Sequence, residues 1–291
     1  DGVTLLTEVV SSIPSRYGRI GWEMGRESVI RMPINDFDEV RRRAGNRIFA
    51  DASPTLWKLR GVKSEPEIDR LRYVCQLASG AFEALPSKLR LGDTEFDASR
   101  KMRIELAEHG SDSSPFVAVI SGEGGYSQCI VGPTERVLGD GDILFIDLGA
   151  TYDGYFCDFD RNLAFGKVSD DTRKAHETIF RATDAGFTAA RPGATTSDVW
   201  CAMWNILEKG GALGNNVGRM GHGLGMQLTE WPSVKFGDEA VLEMGVVLTL
   251  EPGMEFAPGK QLVHEENIVI TEDGAEYLSQ RASETLRTVD C

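Results

Sequence analysis

The spacing of apolar positions along this chain changes several times, which predicts both helices and strands. From Ile68 to Phe82 apolar residues recur every three or four positions, so they share one face of a helix. This helix is expected to begin after Ser64, because Ser followed three residues later by Glu67 forms a capping box. Thr94 is expected to begin a second helix, and the spacing at 172–190 and 197–209 predicts two more.

Short apolar runs between these helices predict strands. They cover residues 116–121, 246–251 and 262–271, each bounded by Gly or Pro signals. From 63 to 291, helix pairs thus alternate with antiparallel strands, which predicts an α+β domain and suggests an internal duplication. Over residues 1–62 we expect a separate small α/β segment, with helices at 5–13 and 36–43 and strands at 19–22 and 47–51.

The strongest local signal lies at 146–161, where Asp153-Gly154 separates two β-prone runs. Asp-Gly is a preferred two-residue turn between antiparallel strands. Such a turn pairs the two flanking tyrosines and places Asp147 opposite Asp160. Asp158 then lies one diagonal step from Asp147, on the same face of the sheet.

Two carboxylates this close repel each other unless a cation lies between them. A metal site is therefore one interpretation of Asp147 and Asp158. The other is two unrelated aspartates in an acidic protein, and the hairpin alone favours neither.

Composition narrows the class of protein. The chain has 291 residues, of which 41% are hydrophobic and 26% charged, enough for one large or two ordinary domains with real cores. Its net charge of −14 argues against binding to nucleic acid or to an anionic membrane, since both need a basic surface. Five scattered cysteines without a CxxC pair predict a reducing, cytoplasmic setting. Because the chain opens at Asp1, we expect that an N-terminal portion precedes it.

Three further residues are candidates for chemistry. His222 lies among glycines in Gly-His-Gly-Leu-Gly, a setting compatible with a structural role or with a ligand role. Glu251 ends an apolar strand, where a carboxylate needs a partner. Glu265 and Glu266 are adjacent in a predicted strand, so only one of them can face the site. Taken together, four carboxylates and one imidazole suit two divalent ions such as Mn, Fe, Co or Zn.

In this order the candidates resemble the five metal ligands of peptidase family M24, the "pita-bread" metallopeptidases: Asp147, Asp158, His222, Glu251 and Glu265. The motifs IDLGATYDGYFCD, GHGLG followed by EWP, LTLEPGMEF and EENIVITEDGAEYL carry the resemblance, and VKSEPEIDRLR resembles the start of the catalytic domain in the prolidase, aminopeptidase P and creatinase branch. The resemblance implies an α+β pita-bread domain over residues 63–291. It also implies part of a creatinase-type N-terminal domain over residues 1–62.

The resemblance also implies a mechanism and an assembly. Its active members cleave amide bonds with metal-activated water, and the glutamate matching Glu251 both binds metal and takes the proton. Glu230, in the motif after GHGLG, is expected to contact substrate. A homodimer is expected by the same resemblance.

Two histidines of active prolidases are absent at the matching positions, where Ile130 and Thr229 stand instead. Of the other histidines, His264 is expected to face away from the metals, whereas His109 and His176 lie in predicted helices and are expected at the surface. These departures leave two functions open. One is a hydrolase acting on a dipeptide-like or other small amide. The other is a non-peptidase of the same fold, such as a dimethylsulfoniopropionate lyase, a creatinase-like small-amide hydrolase or a binding module.

Overall fold

The computed structural model describes residues 1–25, 28–214 and 218–289. It divides the chain into two compact units, Asp1–Arg60 and a second that starts at Gly61. The elements of the first unit are α1 (Gly2–Ser12), β1 (Arg19–Trp22), α2 (Ile34–Arg43), β2 (Ile48–Asp51) and α3 (Ser53–Gly61). β1 and β2 pair in parallel, and the rings of Trp22, Phe37 and Phe49 pack with centroids 5.3–5.9 Å apart. The apolar spacing did not predict α3.

Four long helices organise the second unit: α4 (Glu65–Ala84), α5 (Glu95–Glu108), α6 (Asp170–Ala189) and α7 (Thr196–Lys209). α4 begins at the capping box predicted from Ser64, and α5 begins after Thr94 as expected. Thr94 and Thr195 form two further capping boxes, before α5 and α7. A 3₁₀ turn at Leu85–Lys88 follows α4. All four helices match the expected segments to within about two residues at each end.

The strands of this unit form two five-stranded sheets and a small ribbon. In chain order they are β3 (Ser113–Glu123), β4 (Asp142–Tyr152), β5 (Tyr155–Phe156), β6 (Phe159–Phe165), β7 (His222–Gly223), β8 (Glu230–Ser233), β9 (Val247–Leu250), β10 (Gly253–Ala257), β11 (Lys260–Val263), β12 (Glu266–Ile270), β13 (Ala275–Tyr277) and β14 (Arg287–Val289). The first sheet has the order β14-β6-β4-β3, with β5 beside β4, and the second has the order β13-β12-β9-β7-β8. β10 and β11 pair separately, and only β14 runs parallel to its neighbour in this unit as described.

The predicted hairpin is confirmed in its register. Tyr152 pairs with Tyr155, and Asp147 lies opposite Asp160. Both turn residues have positive φ, 47° at Asp153 and 81° at Gly154, as a type I′ turn requires. The local turn chemistry therefore aligns the aspartates of this hairpin on one face.

Two expectations about the C-terminal half were wrong. The run 262–271 is not one strand, because the ladder breaks at His264 and Glu265 between β11 and β12. His176 is not at the surface: it is 4% exposed, and its Nε2 donates to the Ser283 carbonyl at 3.4 Å. The face of α6 that carries His176 packs inward, which the polar character of histidine concealed.

Each sheet has its own helix pair. α4 and α5 pack on β3 and β4, where Phe82 contacts Phe159 with ring centroids 5.5 Å apart. α6 and α7 pack on each other, and α6 contacts β9, β10 and β11 around Ile179, Met203 and Leu250. Two sheets with two helix pairs agree with the alternation read from the sequence. No helix of the described ranges combines the length and apolar character needed to cross a membrane.

Candidate metal centre

All five predicted ligands line one cavity of about 200 Å³ between the two sheets of the second unit. Asp147 comes from the middle of β4, and Asp158 lies immediately before β6. His222 begins β7, Glu251 directly follows β9, and Glu265 directly precedes β12. Strand ends and one strand centre thus deliver all five side chains to one place.

His222 is held so that one ring nitrogen faces the carboxylates. Its Nδ1–H donates to the Gly223 carbonyl at 2.8 Å, and its backbone N–H donates to the Thr249 hydroxyl at 3.1 Å. A carbonyl can only accept, so Nδ1 carries the proton and the Nε2 lone pair is available to a metal. Nε2 lies 3.4 Å from Asp158 Oδ2 and 3.8 Å from Glu251 Oε1.

Asp158 lies where the strand pairing of the hairpin is interrupted, and a distant amide holds its backbone. The buried side chain of Asn267 accepts from Asp158 N–H at 2.9 Å and donates to the Asp158 carbonyl. Ligand atoms of Asp158, His222 and Glu265 all lie within 4.8 Å of one another. This spacing is compact enough for one ion to contact all three.

The pKa shifts of the five donors indicate that the cluster lacks a cation. Burial raises the pKa of Asp147, Asp158 and Glu265, and the negative charge of Asp158 raises Asp147 and Glu265 further. Burial also raises the pKa of Glu251 to about 7, with His222 opposing and Asp158 adding to the shift. For His222, burial lowers the pKa, but the hydrogen bond to Asp158 and the charge of Glu251 outweigh it and the net shift is upward. Carboxylates that repel each other in this way need a cation among them.

Unpaired oxygens lead to the same conclusion. Within the described ranges, Asp147 Oδ1, Glu251 Oε1 and Glu265 Oε1 are buried without a hydrogen-bond partner. Buried polar atoms are nearly always paired, so these three call for a ligand. Oxygen donors with one imidazole nitrogen suit Mn, Fe, Co or Zn. The residues therefore fit the pair of divalent ions expected from the sequence.

Comparison with known proteins assigns the chain to a protein family. Residues 69–272 match metallopeptidase family M24. The chain belongs to this family. Its fold is accordingly the pita-bread fold.

Individual M24 relatives agree. The chain is 36% identical over 226 residues to a protein of Mycobacterium tuberculosis named probable dipeptidase PepE, covering 77% of this chain and 60% of that one. An Xaa-Pro dipeptidase structure from Bacillus anthracis has a TM-score of 0.87 at 26% identity, covering 98% of this chain and 78% of the other. An X-Pro aminopeptidase structure from Thermotoga maritima has a TM-score of 0.84 at 25% identity, covering 99% and 80%. The chain thus spans only about three fifths of the mycobacterial relative.

Two residues of this cavity were not predicted from the sequence as site residues. Asp160 lines the cavity and is fully buried, and the register that placed it opposite Asp147 was the signal available. Arg219 lines the same cavity, with Nε 3.9 Å from Glu251 Oε1 and an NH2 group that donates to Thr229 Oγ1 at 3.4 Å. It lies in a loop and carries no local signal.

The predicted substrate contacts divide into two groups. Ile130 and Thr229 line the cavity, Ile130 at its open edge with 76% of its surface exposed. Glu230 does not line it, because its buried carboxylate pairs with Lys63 Nζ at 3.1 Å and accepts from Gln227 N–H. Desolvation of this ion pair lowers the pKa of Lys63, against the opposing effect of Glu230. Glu230 therefore braces the loop that carries Thr229.

His264 and Glu266 do not line the cavity that holds the predicted ligands. His264 lines a separate cavity of about 400 Å³, and its Nε2 lies 3.3 Å from Glu266 Oε1. Glu266 bonds Arg161 and Ser279. Burial raises the pKa of Glu266, but Arg161, His264 and Ser279 together outweigh burial, and the net pKa is lowered.

Proposed function

We propose that this protein is a dinuclear metal-dependent hydrolase that cleaves an amide bond in a dipeptide-like or other small substrate. The observation that carries the proposal is the convergence of five donors, several with unpaired buried oxygens, on one cavity of about 200 Å³. At about 30 Å³ per water, that volume equals about seven waters, which suits a small substrate. The names of the relatives, dipeptidase and Xaa-Pro dipeptidase, point the same way.

The residues divide the chemistry among them. When bound, two divalent ions of the Mn, Fe, Co or Zn type would supply the Lewis acidity that makes water a nucleophile near neutral pH. Glu251 is proposed to be both a metal ligand and the general base, because its buried Oε1 has no hydrogen-bond partner and Glu251 lines the cavity. His222, Asp147, Asp158 and Glu265 would hold the ions together with Glu251, and the side chains of Thr249 and Asn267 position His222 and Asp158.

Arg219 is proposed to orient the substrate. Its guanidinium is a permanent cation on the cavity wall, beside Thr229 and Glu251. A carboxylate or developing oxyanion of the substrate would bind there by a charge-assisted hydrogen bond. Phe116, Leu228 and Val263 add apolar surface to the same cavity.

A second candidate function is favoured by Ile130 and Thr229, which stand where prolidases carry histidines. Ile130 offers no polar group, and Thr229 offers only a neutral hydroxyl. Losing one donor to an oxyanion costs on the order of 10²–10³ in rate. A metal-dependent lyase or a creatinase-like hydrolase of a small amide is therefore the alternative. It predicts metal binding without turnover of Xaa-Pro dipeptides.

The test combines metal content with a substrate screen. Metal-stripped protein is reconstituted with Mn, Fe, Co or Zn, and elemental analysis is expected to give about two ions per chain. The loaded protein is then assayed on Xaa-Pro dipeptides, other dipeptides and small amides. Asp158→Ala is expected to lose at least one ion and all turnover, while the exposed Asp171→Ala retains both. Protein that stays metal-free under excess ions would exclude the proposal.

The proposal extends to assembly and location. We propose a cytoplasmic homodimer in which the Asp1–Arg60 unit is part of a creatinase-type N-terminal domain. Sedimentation of the full-length protein at micromolar concentration measures the assembly, and a monomer there would contradict it. Cell fractionation measures the location.

A further inference from the structure

Asp160 is the feature of the cavity that the five-ligand set does not use. It lies in the middle of β6, directly opposite Asp147 on β4. Directly paired residues of antiparallel strands share a face, with Cβ atoms about 4.5–5.5 Å apart. Asp160 is 0% exposed and lines the same cavity as the predicted ligands. Its carboxylate therefore adds a further negative charge to that cavity.

Among the described residues, only long contacts act on this carboxylate: burial raises the pKa of Asp160, and the His264 ring, the Arg161 charge and the Glu265 backbone partly oppose that rise. Both Oδ atoms of Asp160 lack a partner throughout the described part of the chain. The nearest titratable nitrogen, His264 Nδ1, lies 3.8 Å from Oδ1, and the other nitrogen of that ring faces Glu266. The neighbouring Arg161 is directed to Glu266 and to backbone carbonyls. A buried carboxylate left in this state needs a cation.

The cavity itself is where that cation belongs. Four predicted carboxylate ligands carry four negative charges, which two divalent ions balance, and Asp160 adds a fifth. We propose that Asp160 is a sixth protein ligand of the metal pair, contributed by the strand position opposite Asp147. This inference rests on the proposed metal centre. A sixth ligand makes the site richer in carboxylate. The site should therefore bind hard divalent ions more tightly than five ligands would.

A purely structural role makes a different prediction. If Asp160 serves only to orient His264, its removal lowers the stability of the metal-free protein and leaves metal affinity unchanged. If it is a ligand, its removal relieves repulsion among buried carboxylates and therefore raises the melting temperature of the metal-free protein. Metal affinity then falls. Only if Asp160 faces the ions should its removal both raise the melting temperature of the metal-free protein and lower the metal affinity.

The experiment titrates Mn²⁺ into metal-stripped full-length protein by calorimetry and measures thermal unfolding in chelator. Asp160→Asn is expected to weaken Mn²⁺ binding by at least about 10–100-fold and to raise the melting temperature in chelator. The matched control is Asp153→Asn at the exposed tip of the same hairpin, where positive φ suits Asn. It is expected to leave Mn²⁺ affinity unchanged. In a His264→Gln background, Asp160→Asn is expected to weaken binding by the same factor.

Each other result overturns the inference. Unchanged Mn²⁺ affinity in Asp160→Asn does so, as does an effect that disappears in the His264→Gln background. Asp160→Ser provides a second variant without a carboxylate, and failure of both variants to fold in chelator contradicts the expected relief of repulsion. Wild-type protein that binds no Mn²⁺ removes the proposed function as well. Wild-type protein that binds Mn²⁺ no more tightly than Asp160→Asn removes only this inference.

Discussion

Replacing Glu251 by glutamine is expected to stabilise the metal-free protein while abolishing hydrolysis. Burial raises the pKa of Glu251 from 4.5 to about 7. In the unfolded chain this carboxyl loses its proton near its ordinary pKa, whereas in the folded, metal-free protein it keeps the proton to a higher pH. Its contribution to stability is therefore complete below the unfolded pKa and is lost as pH rises through the folded pKa.

The size of this effect follows from the shift. One pKa unit corresponds to about 1.4 kcal/mol, so a shift from 4.5 to about 7 makes the loss about 3 kcal/mol once the pH exceeds the folded pKa. Glutamine has nearly the same size and cannot ionise, so the variant avoids that loss. It keeps one acceptor oxygen but cannot take a proton. Stability and catalysis should therefore change in opposite directions.

The assay is urea unfolding in chelator at about pH 5 and about pH 8, where the carboxyl of the folded wild type is respectively protonated and ionised. Glu251→Gln should exceed the wild type by about 3 kcal/mol at the higher pH and by far less at the lower. Glu239→Gln, at an exposed position, is the control and should follow the wild type at both. Adding Mn²⁺ should reverse the order, because the wild type binds the ion more tightly.

A Glu251→Gln protein that is less stable than the wild type in chelator at about pH 8 would refute this reasoning, since the carboxylate would then be stabilising without metal. An increase in stability that is equal at both pH values would also refute it. In that case the glutamine would stabilise by packing or hydrogen bonding, and the charge of Glu251 would be irrelevant.

Further expectations concern the pocket, the core and the support of the ligands. For Xaa-Pro dipeptides, the kcat/KM of the wild type should stay below roughly 10⁴ M⁻¹s⁻¹. The double variant Ile130→His with Thr229→His should raise this kcat/KM more than either change alone. Because Ile130 is 76% exposed, Ile130→His should not lower the stability of the protein. Burial lowers the pKa of His176 to about 4 from 6.5, so its stabilising effect is present above pH 6.5 and lost as pH falls towards the folded pKa. As pH falls from 6.5 to about 4, the wild type should therefore lose about 3 kcal/mol of unfolding free energy relative to His176→Gln, as measured by urea unfolding. Asn267→Ala, which frees the backbone of Asp158, should weaken Mn²⁺ binding by about 10–100-fold in calorimetry, and unchanged affinity would show that the clamp is dispensable.

Local chemistry in the sequence determined much of this fold. The positive φ that Asp153 and Gly154 accept defines a two-residue turn, and from that turn the register of the hairpin follows by counting. Helix starts were equally readable, because the capping boxes at Ser64 and Thr94 join residues only three positions apart. The ligand set was not readable in this way: the hairpin, His222 and the pair Glu265 and Glu266 each left alternatives open, and only the resemblance to family M24 joined the five residues into one set.

Only the tertiary structure decided which other groups meet those ligands. Asn267 reaches Asp158 across 109 positions of sequence, and Lys63 reaches Glu230 across 167. The first contact positions a ligand, and the second removes a predicted substrate contact from the cavity. Neither partner carries a local pattern, because a buried hydrogen bond depends on where two separate elements pack and not on the residues beside either one.

The role of Asp160 likewise depends on how separate elements pack, which the sequence does not show. Counting from the turn placed it opposite Asp147, but an acidic chain offers many aspartates, most of them solvated. What distinguishes Asp160 is that both of its oxygens are buried and unpaired, within the described ranges, at the wall of the cavity. That state depends on the packing of the second sheet on the first, since β12 contacts β6 and His264, just before β12, lies 3.8 Å from Asp160. The sequence by itself thus determined the hairpin and its carboxylates, whereas their desolvation, and with it their need for metal, arose only from the packing of the two sheets.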